Sequence, residues 1–140
     1  MKKITIYTDG ACSGNPGKGG WGAVIINADN TLTTLSGACK LTTNSRMEIQ
    51  AVVEALKHIK TPMDITIISD SQYVCSTINE WLDKWQKSGK LFSKANVDLW
   101  MEYLELSEQH KIHAEHVYGH SGVLFNEMCD KLARNAIKSI

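Results

Sequence analysis

The sequence predicts an α/β fold in which a mixed β-sheet is flanked by α-helices. Near the N-terminus, three strand-like segments follow one another, and after them helix-like and strand-like segments alternate. The 140 residues are enough for one domain with its own core. Because no linker, repeat or low-complexity tract divides the chain, we expect a single domain over residues 1–140.

The first three segments have the composition of strands. Residues 4–8 alternate apolar and polar side chains and are rich in β-branched residues, and residues 21–27 and 31–39 are similar. Asp29-Asn30 is the predicted turn between the second and third strands. The Gly-rich stretch between the first two strands predicts a hairpin, since glycine adopts positive φ at little cost.

A helix and a strand follow these three strands. Within residues 42–59 the apolar side chains recur with a helical period, and the helix is expected to end before Thr61-Pro62. Residues 64–69 are rich in isoleucine and predict a buried strand.

The rest of the chain continues the alternation. Residues 74–85 carry an apolar stripe with a 3.6-residue period, which indicates one bent helix or two consecutive helices. A helix around residues 97–104 has Asn96 as a plausible N-cap. Residues 111–118 predict a strand, and the apolar residues between 132 and 137 mark a final helix.

Composition excludes several classes of protein. Fifteen Lys and Arg residues balance 15 Asp and Glu residues, so any nucleic-acid site would be a local patch. No segment approaches the ~20 consecutive apolar residues of a membrane span, and the N-terminus lacks the apolar region of a secretory signal. The four cysteines are widely spaced, so we expect reduced thiols in a cytoplasmic protein. They are Cys12, Cys39, Cys75 and Cys129.

Two glycine patterns suggest a nucleotide site, and both fail on context. Residues 17–22 fit G-x-G-x-x-G, but the segment from Trp21 onward predicts a strand, whereas a dinucleotide site needs a helix there. A phosphate-binding P-loop would need a glycine at Cys12 and a hydroxyl residue at Gly19. The hairpin is therefore the favoured interpretation.

Two aspartates follow similar strand-like runs. ITIYTDG (residues 4–10) and ITIISDS (residues 65–71) each place an Asp five residues after the first Ile. Sites in open α/β sheets form outside the carboxyl ends of strands, so Asp9 and Asp70 are candidates for a common site. The alternative for Asp70 is that it caps the following helix.

Two further acids lie on apolar helix faces. Glu48 lies on the stripe that continues through Val52, although Ser45-x-x-Glu48 also fits a capping box. Asp130 lies on the apolar side of the last helix, and its alternative is a salt bridge to Arg134 one turn on. Four such carboxylates together suggest an oxygen-rich pocket, which suits Mg²⁺ or Mn²⁺ better than zinc.

The histidines raise the alternative of zinc. On a strand, His113 and His116 would face opposite sides, so they do not form a simple ligand pair. His120 lies in a Gly-Ser loop just before the helix of Asp130, where a histidine can move protons or help product leave. The alternative is an exposed loop histidine without a role.

A basic tract, KWQKSGKLFSK over residues 84–94, contains four lysines and no acid. Trp81 and Trp85 lie one helical turn apart beside it. Lysines with stacking aromatics are typical of a groove for a nucleic-acid backbone. The alternative is that the tryptophans belong to the core and the lysines to a solvated face.

Six motifs in order give the chain a close family resemblance: TDGACSGNPG, TTNSRME, SDSQYV, NVDLW, GHSG and NEMCDKLA. Together they resemble bacterial type 1 ribonuclease H over nearly the whole chain. The resemblance implies the ribonuclease H-like fold, with a five-stranded mixed β-sheet flanked by α-helices. It also implies endonucleolytic cleavage of the RNA strand of RNA/DNA hybrids, leaving 5′-phosphate and 3′-hydroxyl ends.

The resemblance assigns roles residue by residue. The family's catalytic and metal-binding carboxylates match Asp9, Glu48, Asp70 and Asp130, its loop histidine matches His120, and two Mg²⁺ ions (or Mn²⁺) are implied with substrate bound. Its hybrid-contacting positions match Gly10, Ala11, Cys12, Asn15, Asn44 and Gln72. Its basic protrusion matches residues 81–95, which adds Trp81, Lys84, Trp85 and Lys87 to the expected substrate-binding residues.

This chain departs from the family pattern in two places. The protrusion has fewer basic residues than those of the best-known bacterial relatives, and the segment after Gly122 is more apolar than usual.

Other functions remain open at this point. A non-catalytic module of the same fold that binds RNA/DNA hybrids would need no metal, although four grouped acids without metal are costly to bury. Another nuclease of the same fold, such as a junction resolvase, is disfavoured by the GHSG and NVDLW motifs. Nothing in the sequence requires more than a monomer.

Overall fold

A five-stranded sheet with the order β3-β2-β1-β4-β5 forms the centre of the protein. The structure is a computed structural model that describes residues 1–118 and 123–140. Neighbours β1–β2 and β2–β3 are antiparallel, and β1–β4 and β4–β5 are parallel, so the predicted mixed sheet is confirmed. The strands are β1 (Lys3–Ser13), β2 (Gly17–Ile26), β3 (Leu32–Thr42), β4 (Asp64–Ser69) and β5 (Lys111–His116).

Helices connect and cover the strands. The predicted stretch is helical from Gln72 to Ser88 without a break, and one π-helical turn, Thr77–Trp81, lies between its two short α-helical parts. A 3₁₀ turn, Leu91–Ser93, follows. The α-helices are α1 (Asn44–His58), α2 (Gln72–Ser76), α3 (Leu82–Ser88), α4 (Val97–Ser107) and α5 (Leu124–Lys138). Among the described residues, no helix is long and apolar enough to cross a membrane.

Helices α1 and α5 cover opposite faces of the sheet. A Cβ on Gly10 of β1 would lie 2.5 Å from the backbone N of Glu48 in α1. A Cβ on Gly22 of β2 would lie 2.5 Å from the carbonyl O of Cys129 in α5. Gly10 pairs with Trp21, the neighbour of Gly22, and successive residues of a strand point to opposite faces. The two helices therefore approach from the two sides.

The core lies between the sheet and α1, and α4 packs against α1. Ile6, Ile65 and Ile67 from the central strands are fully buried against Val52 of α1. Trp100 of α4 is also fully buried. Burial of this apolar surface stabilises the fold by roughly 25 cal/mol for each Å² removed from water.

Strand β1 extends beyond the predicted segment. Its parallel pairing with β4 ends at Thr8 and Ser69, but its antiparallel pairing with β2 continues to Ser13 and Lys18. The prediction that Asp9 ends a strand is therefore wrong, because the hairpin partner prolongs β1. Asp9 instead follows the last residue of the parallel pairing.

The glycines of β2 do more than form the turn. Gly14, at φ 85°, lies in the hairpin turn, as predicted. Gly20 and Gly22 lie within β2, against the backbone of α5. Because a side chain at either position would collide with that helix, these glycines set the distance between α5 and the sheet. No helix follows residues 17–22, which rules out the dinucleotide pattern there.

Two helix caps that were considered as alternatives are wrong, whereas the predicted cap Asn96 is at its position without a capping hydrogen bond. Thr43, not Ser45, caps α1 by accepting from the Arg46 N–H, and Ser71, not Asp70, caps α2 by accepting from the Val74 N–H. Asn96 holds the cap position of α4 at φ 63°, but its side chain makes no capping bond. Its amide donates instead to the Tyr73 hydroxyl at 3.3 Å.

Candidate active site

Three carboxylates from separate elements meet at one edge of the sheet. Asp9 of β1, Glu48 of α1 and Asp70, directly after β4, each place a potential ligand atom within 4.8 Å of the others. We call these three residues the carboxylate cluster. The alternatives for Asp70 and Glu48 as helix caps do not hold, because Ser71 and Thr43 cap those helices.

The packing of β1 and β4 explains why these residues meet. Thr8 and Ser69 are the last parallel pair, so the next residue on each strand is an aspartate at the same level. Gly10 has no side chain, which lets the helix backbone at Glu48 lie directly against β1. Replacing Gly10 with any larger residue would therefore push Glu48 away from Asp9.

Burial makes the negative charge of the cluster costly. Asp9 is only 4% exposed, and its pKa is raised to about 8, first by burial and then by the charges of Asp70 and Asp130. The Gly10 N–H donates to Asp9 Oδ1 at 2.9 Å and partly offsets that increase. Burial and the nearby Asp9 and Asp70 also raise the pKa of Glu48 well above its usual value.

One oxygen of the cluster lacks a hydrogen-bond partner. Glu48 Oε2 is buried and accepts no hydrogen bond. An unpaired buried carboxylate oxygen is unfavourable unless a cation or a proton neutralises it. Within the described part of the chain, this group of possible ligands consists of oxygen donors alone, which is the preference of Mg²⁺ and Mn²⁺.

Asp130 lies beside the cluster and belongs to a surface ion pair. Its Oδ2 is 2.7 Å from a guanidinium nitrogen of Arg134, so the predicted alternative pairing exists. The Asp130 side chain is 24% exposed, and its charge contributes to the raised pKa of Asp9. Three of the four predicted carboxylates therefore form the cluster, and the fourth acts on it from α5.

The histidines do not gather into a zinc site among the described residues. His113 Nε2 lies 3.4 Å from Glu115 Oε1, whereas His116 Nε2 lies 3.1 Å from the carbonyl oxygen of Asp70. No pattern in the sequence indicates this contact of His116 with the site. His120 lies outside the residues that the structure describes.

The predicted substrate-contacting residues surround the same edge. Gly10, Ala11 and Cys12 continue β1 beyond Asp9, and Cys12 Sγ contacts the carbonyl oxygen of Thr42 at 3.4 Å. Asn15 and Asn44 meet, because the Asn44 N–H donates to Asn15 Oδ1 at 3.1 Å.

Gln72 lies on another element of that edge, at the start of α2. It is two residues after Asp70, and its amide donates to Ser76 Oγ at 2.8 Å.

The basic tract forms a partly self-neutralised surface. Lys84 Nζ lies 2.7 Å from Glu80 and Lys87 Nζ lies 2.9 Å from Asp83. The tract itself contains no acid, but these acids one turn earlier pair with two of its lysines. The i, i+4 spacing of these acids and lysines is the signal in the sequence that indicates the pairing.

The tryptophans of the protrusion, residues 81–95, are both partly accessible. Their ring centroids are 6.0 Å apart with planes inclined by 34°. Trp81 is 37% exposed, while Trp85 packs against the core and carries the Lys94 ammonium 4.9 Å from its ring centroid. Trp81 is the better placed of the two for stacking on a ligand.

Fold and site together define a class of protein. It has a mixed five-stranded α/β sheet with a buried carboxylate cluster at the carboxyl end of the parallel strands β1 and β4. Such a centre suits hydrolytic chemistry with hard divalent cations.

Comparisons with known proteins identify the family. The RNase H family profile matches residues 1–138. A ribonuclease H of Chlorobium luteolum is 50% identical over 143 residues, covering 99% of this chain and 97% of the relative. Ribonuclease HI of Helicobacter pylori is 52% identical over 135 residues, covering 96% and 92%. The chain therefore belongs to the RNase H family.

A solved structure agrees with this assignment. The crystal structure of LC9-RNase H1, a type 1 RNase H with the type 2 active-site motif, superimposes with a TM-score of 0.87. It is 26% identical, and the match covers 99% of this chain and 74% of that one. The resemblance, the fold class and the hydrolytic ribonuclease H activity predicted from the sequence are confirmed.

Proposed function

We propose that this chain is an endoribonuclease that hydrolyses the RNA strand of RNA/DNA hybrids at the carboxylate cluster. The observation that carries the proposal is the meeting of Asp9, Glu48 and Asp70 within 4.8 Å in a chain of the RNase H family. Cleavage would leave 5′-phosphate and 3′-hydroxyl ends.

The cluster would hold divalent cations. The orphaned oxygen of Glu48 and the all-oxygen ligand set fit Mg²⁺, with Mn²⁺ as a substitute. Two such ions supply an activated water and stabilisation of the leaving oxygen in an in-line displacement. Asp9, Glu48 and Asp70, with Asp130 beside them, would hold these ions.

The protein residues around the cluster would orient the RNA strand. Gly10, Ala11 and Cys12 continue the β1 backbone beyond Asp9, beside the carboxylate cluster. Asn15, Asn44 and Gln72 add side-chain and backbone polar groups. These groups can recognise 2′-hydroxyls, which distinguish RNA from DNA.

The protrusion would hold the DNA strand. Trp81 offers an exposed ring for stacking, with Trp85 next to it, and Lys84 and Lys87 face solvent. Lysines bind phosphates without regard to sequence. The ion pairs with Glu80 and Asp83 limit the electrostatic attraction that these lysines provide.

His120 would assist turnover rather than hold metal. Its place in the chain lies between β5, which ends beside Asp70, and α5, which carries Asp130. A histidine there can transfer protons or help product release. We further propose that the chain acts as one domain, as a monomer and in the cytoplasm, in keeping with its four free cysteines.

The test is cleavage of a labelled RNA/DNA hybrid in Mg²⁺, Mn²⁺ or EDTA, beside matched double-stranded RNA and double-stranded DNA. We expect metal-dependent cutting of the RNA in the hybrid alone. Hybrid binding without cutting in either metal would favour the non-catalytic module instead. Cutting of the two matched duplexes at the same rate would contradict the assigned substrate.

A further inference from the structure

The turn that carries Asp70 is held by the neighbouring strand. β5 lies parallel to β4, with His116 opposite Ser69. The Val117 N–H donates to the Ser69 carbonyl at 2.9 Å, which continues the pairing past the end of β5. The His116 side chain also contacts the residue that follows β4, because its Nε2 lies 3.1 Å from the carbonyl oxygen of Asp70.

Geometry fixes the role of the His116 ring. A carbonyl oxygen only accepts hydrogen bonds, so Nε2 must carry the proton and donate. The Tyr118 ring packs edge-on against the imidazole, with centroids 5.2 Å apart and planes inclined by 77°. The half-buried imidazole therefore lies between the Asp70 backbone and the exposed ring of Tyr118.

Other bonds hold the residues on either side of Asp70. The Ser71 N–H donates to Ser69 Oγ at 3.0 Å, and Ser71 Oγ accepts from the Val74 N–H at 3.2 Å. These bonds fix the backbone before and after the aspartate. The His116 bond adds an anchor on the peptide of Asp70 itself.

Such an anchor matters because the cluster repels itself. Asp9, Glu48 and Asp70 place carboxylate oxygens within 4.8 Å of each other, where like charges push the side chains apart. Asp70 is on a turn, whereas Asp9 and Glu48 are on a long strand and a long helix. The turn is thus the element of the cluster with the least regular backbone support.

We propose that His116 is a positioning residue, whose ring N–H holds the Asp70 backbone so that the three carboxylates can bind a divalent cation together. This inference rests on the proposed function of the cluster as a metal site. Groups that orient metal ligands from outside typically contribute 10–100-fold in affinity or activity. His116 occupies that place for Asp70.

The experiment compares three variants. His116→Phe removes the N–H but keeps a planar ring against Tyr118. His116→Gln keeps an N–H donor on a side chain of similar reach. His113→Phe is the matched control, since His113 is on the same strand, half exposed at 54%, and contacts Glu115 rather than the site.

Affinity of the substrate-free protein for Mg²⁺ or Mn²⁺ is measured by calorimetric titration, and kcat and KM for the hybrid are measured at low and saturating metal. We expect His116→Phe to weaken metal affinity by about 10-fold and to lower kcat at low metal, with KM for the hybrid unchanged. His116→Gln should recover most of the affinity, and His113→Phe should match the wild type. Thermal unfolding in EDTA separates these effects from loss of fold.

Three outcomes would overturn the proposal. If His116→Phe binds the metal as tightly as the wild type, the ring N–H has no positioning role. If His116→Gln loses as much metal affinity as His116→Phe, the N–H is not the cause of the loss. A loss confined to KM would place His116 in substrate binding instead. Failure of the wild type to cut the hybrid would count against the proposed function, while metal affinity would still report on His116.

Discussion

The carboxylate cluster and the basic protrusion differ in how their charged groups are buried and paired. In the cluster, Asp9 is 4% exposed, lies near two other acids and has a strongly raised pKa. In the protrusion, Lys84 and Lys87 are well exposed and each forms an ion pair with an acid one turn away. The first region keeps unfavourable charges together, and the second neutralises its own.

The comparison shows which kind of charge indicates a function. Exposed ion pairs contribute little to stability, about 0–1 kcal/mol, and are common on any surface. Buried like charges are unfavourable unless a ligand compensates them, so they persist where a ligand is bound. The cluster is therefore strong evidence for a site, whereas the lysines of the protrusion alone are weak evidence.

The largest expected effect is that of Asp9→Asn. It removes one charge from the centre of the cluster, and we expect cleavage to fall by roughly 10³-fold or more because metal binding is worth several kcal/mol to the reaction. The fold should remain intact. Asp64→Asn is the matched control, since Asp64 begins β4, the strand that ends beside Asp70. Activity of Asp9→Asn close to that of the control would refute the site.

His120→Ala tests whether the cluster suffices without the loop histidine. We expect turnover to fall by about 10²-fold, the size of a typical proton-transfer contribution, with measurable activity left. Single-turnover and steady-state rates on the same hybrid would separate chemistry from product release. His113→Ala provides the control, and an unchanged rate in His120→Ala would leave that residue without a catalytic role.

The metal-free protein should lose stability as the pH rises. The pKa of Asp9 is about 8 in the folded state against 3.8 for the free side chain, so the folded state binds this proton more tightly. The stability that this proton contributes is fully present below about pH 4 and is lost as the pH rises through 8.

Unfolding midpoints between pH 5 and 9, with EDTA or Mg²⁺, check this sign. Mg²⁺ should restore stability at the alkaline end, because binding to the folded state alone stabilises it. Asp9→Asn should weaken the pH dependence of the unfolding midpoint in the metal-free protein. A metal-free wild type whose stability rises across this range would contradict the assigned charge repulsion.

The smallest effect is expected from releasing the lysines of the protrusion. Glu80→Gln and Asp83→Asn together should strengthen hybrid binding a few-fold at low salt, since each exposed ion pair is worth less than about 1 kcal/mol. Fluorescence anisotropy at two salt concentrations measures this change. Glu105→Gln, an exposed acid on α4, is the control, and equal gains there would indicate a general charge effect.

Much of the fold could be predicted because its signals are local. The alternation in residues 4–8, the isoleucines of residues 64–69 and the helical period of residues 42–59 depend on near neighbours in sequence, and the predicted elements exist. The boundaries were less predictable. β1 runs on to Ser13 because β2 pairs with it, and α5 begins at Leu124, where Phe125 packs on Tyr7 with centroids 5.3 Å apart.

The same distinction applies to the site. Matching runs before Asp9 and Asp70 predicted that both would face one edge, and the inward stripe predicted Glu48. Ser45 and Asp70 do not cap their helices because a capping residue depends on where the helix axis begins, which packing shifts by one or two positions. The contact of His116 with Asp70 could not be predicted, because it joins residues 46 positions apart.

Periodicity and recognisable motifs along the chain are enough to predict the order of strands and helices, the RNase H family and the acids of the site. The packing of the elements determines that three acids form a cluster while Asp130 pairs with Arg134. It also places the backbones of α1 and α5 directly against Gly10 and Gly22. The physical reason is that burial and approach distance are properties of packed elements. A carboxylate acquires its unusual proton affinity from neighbours that only the folded chain brings near.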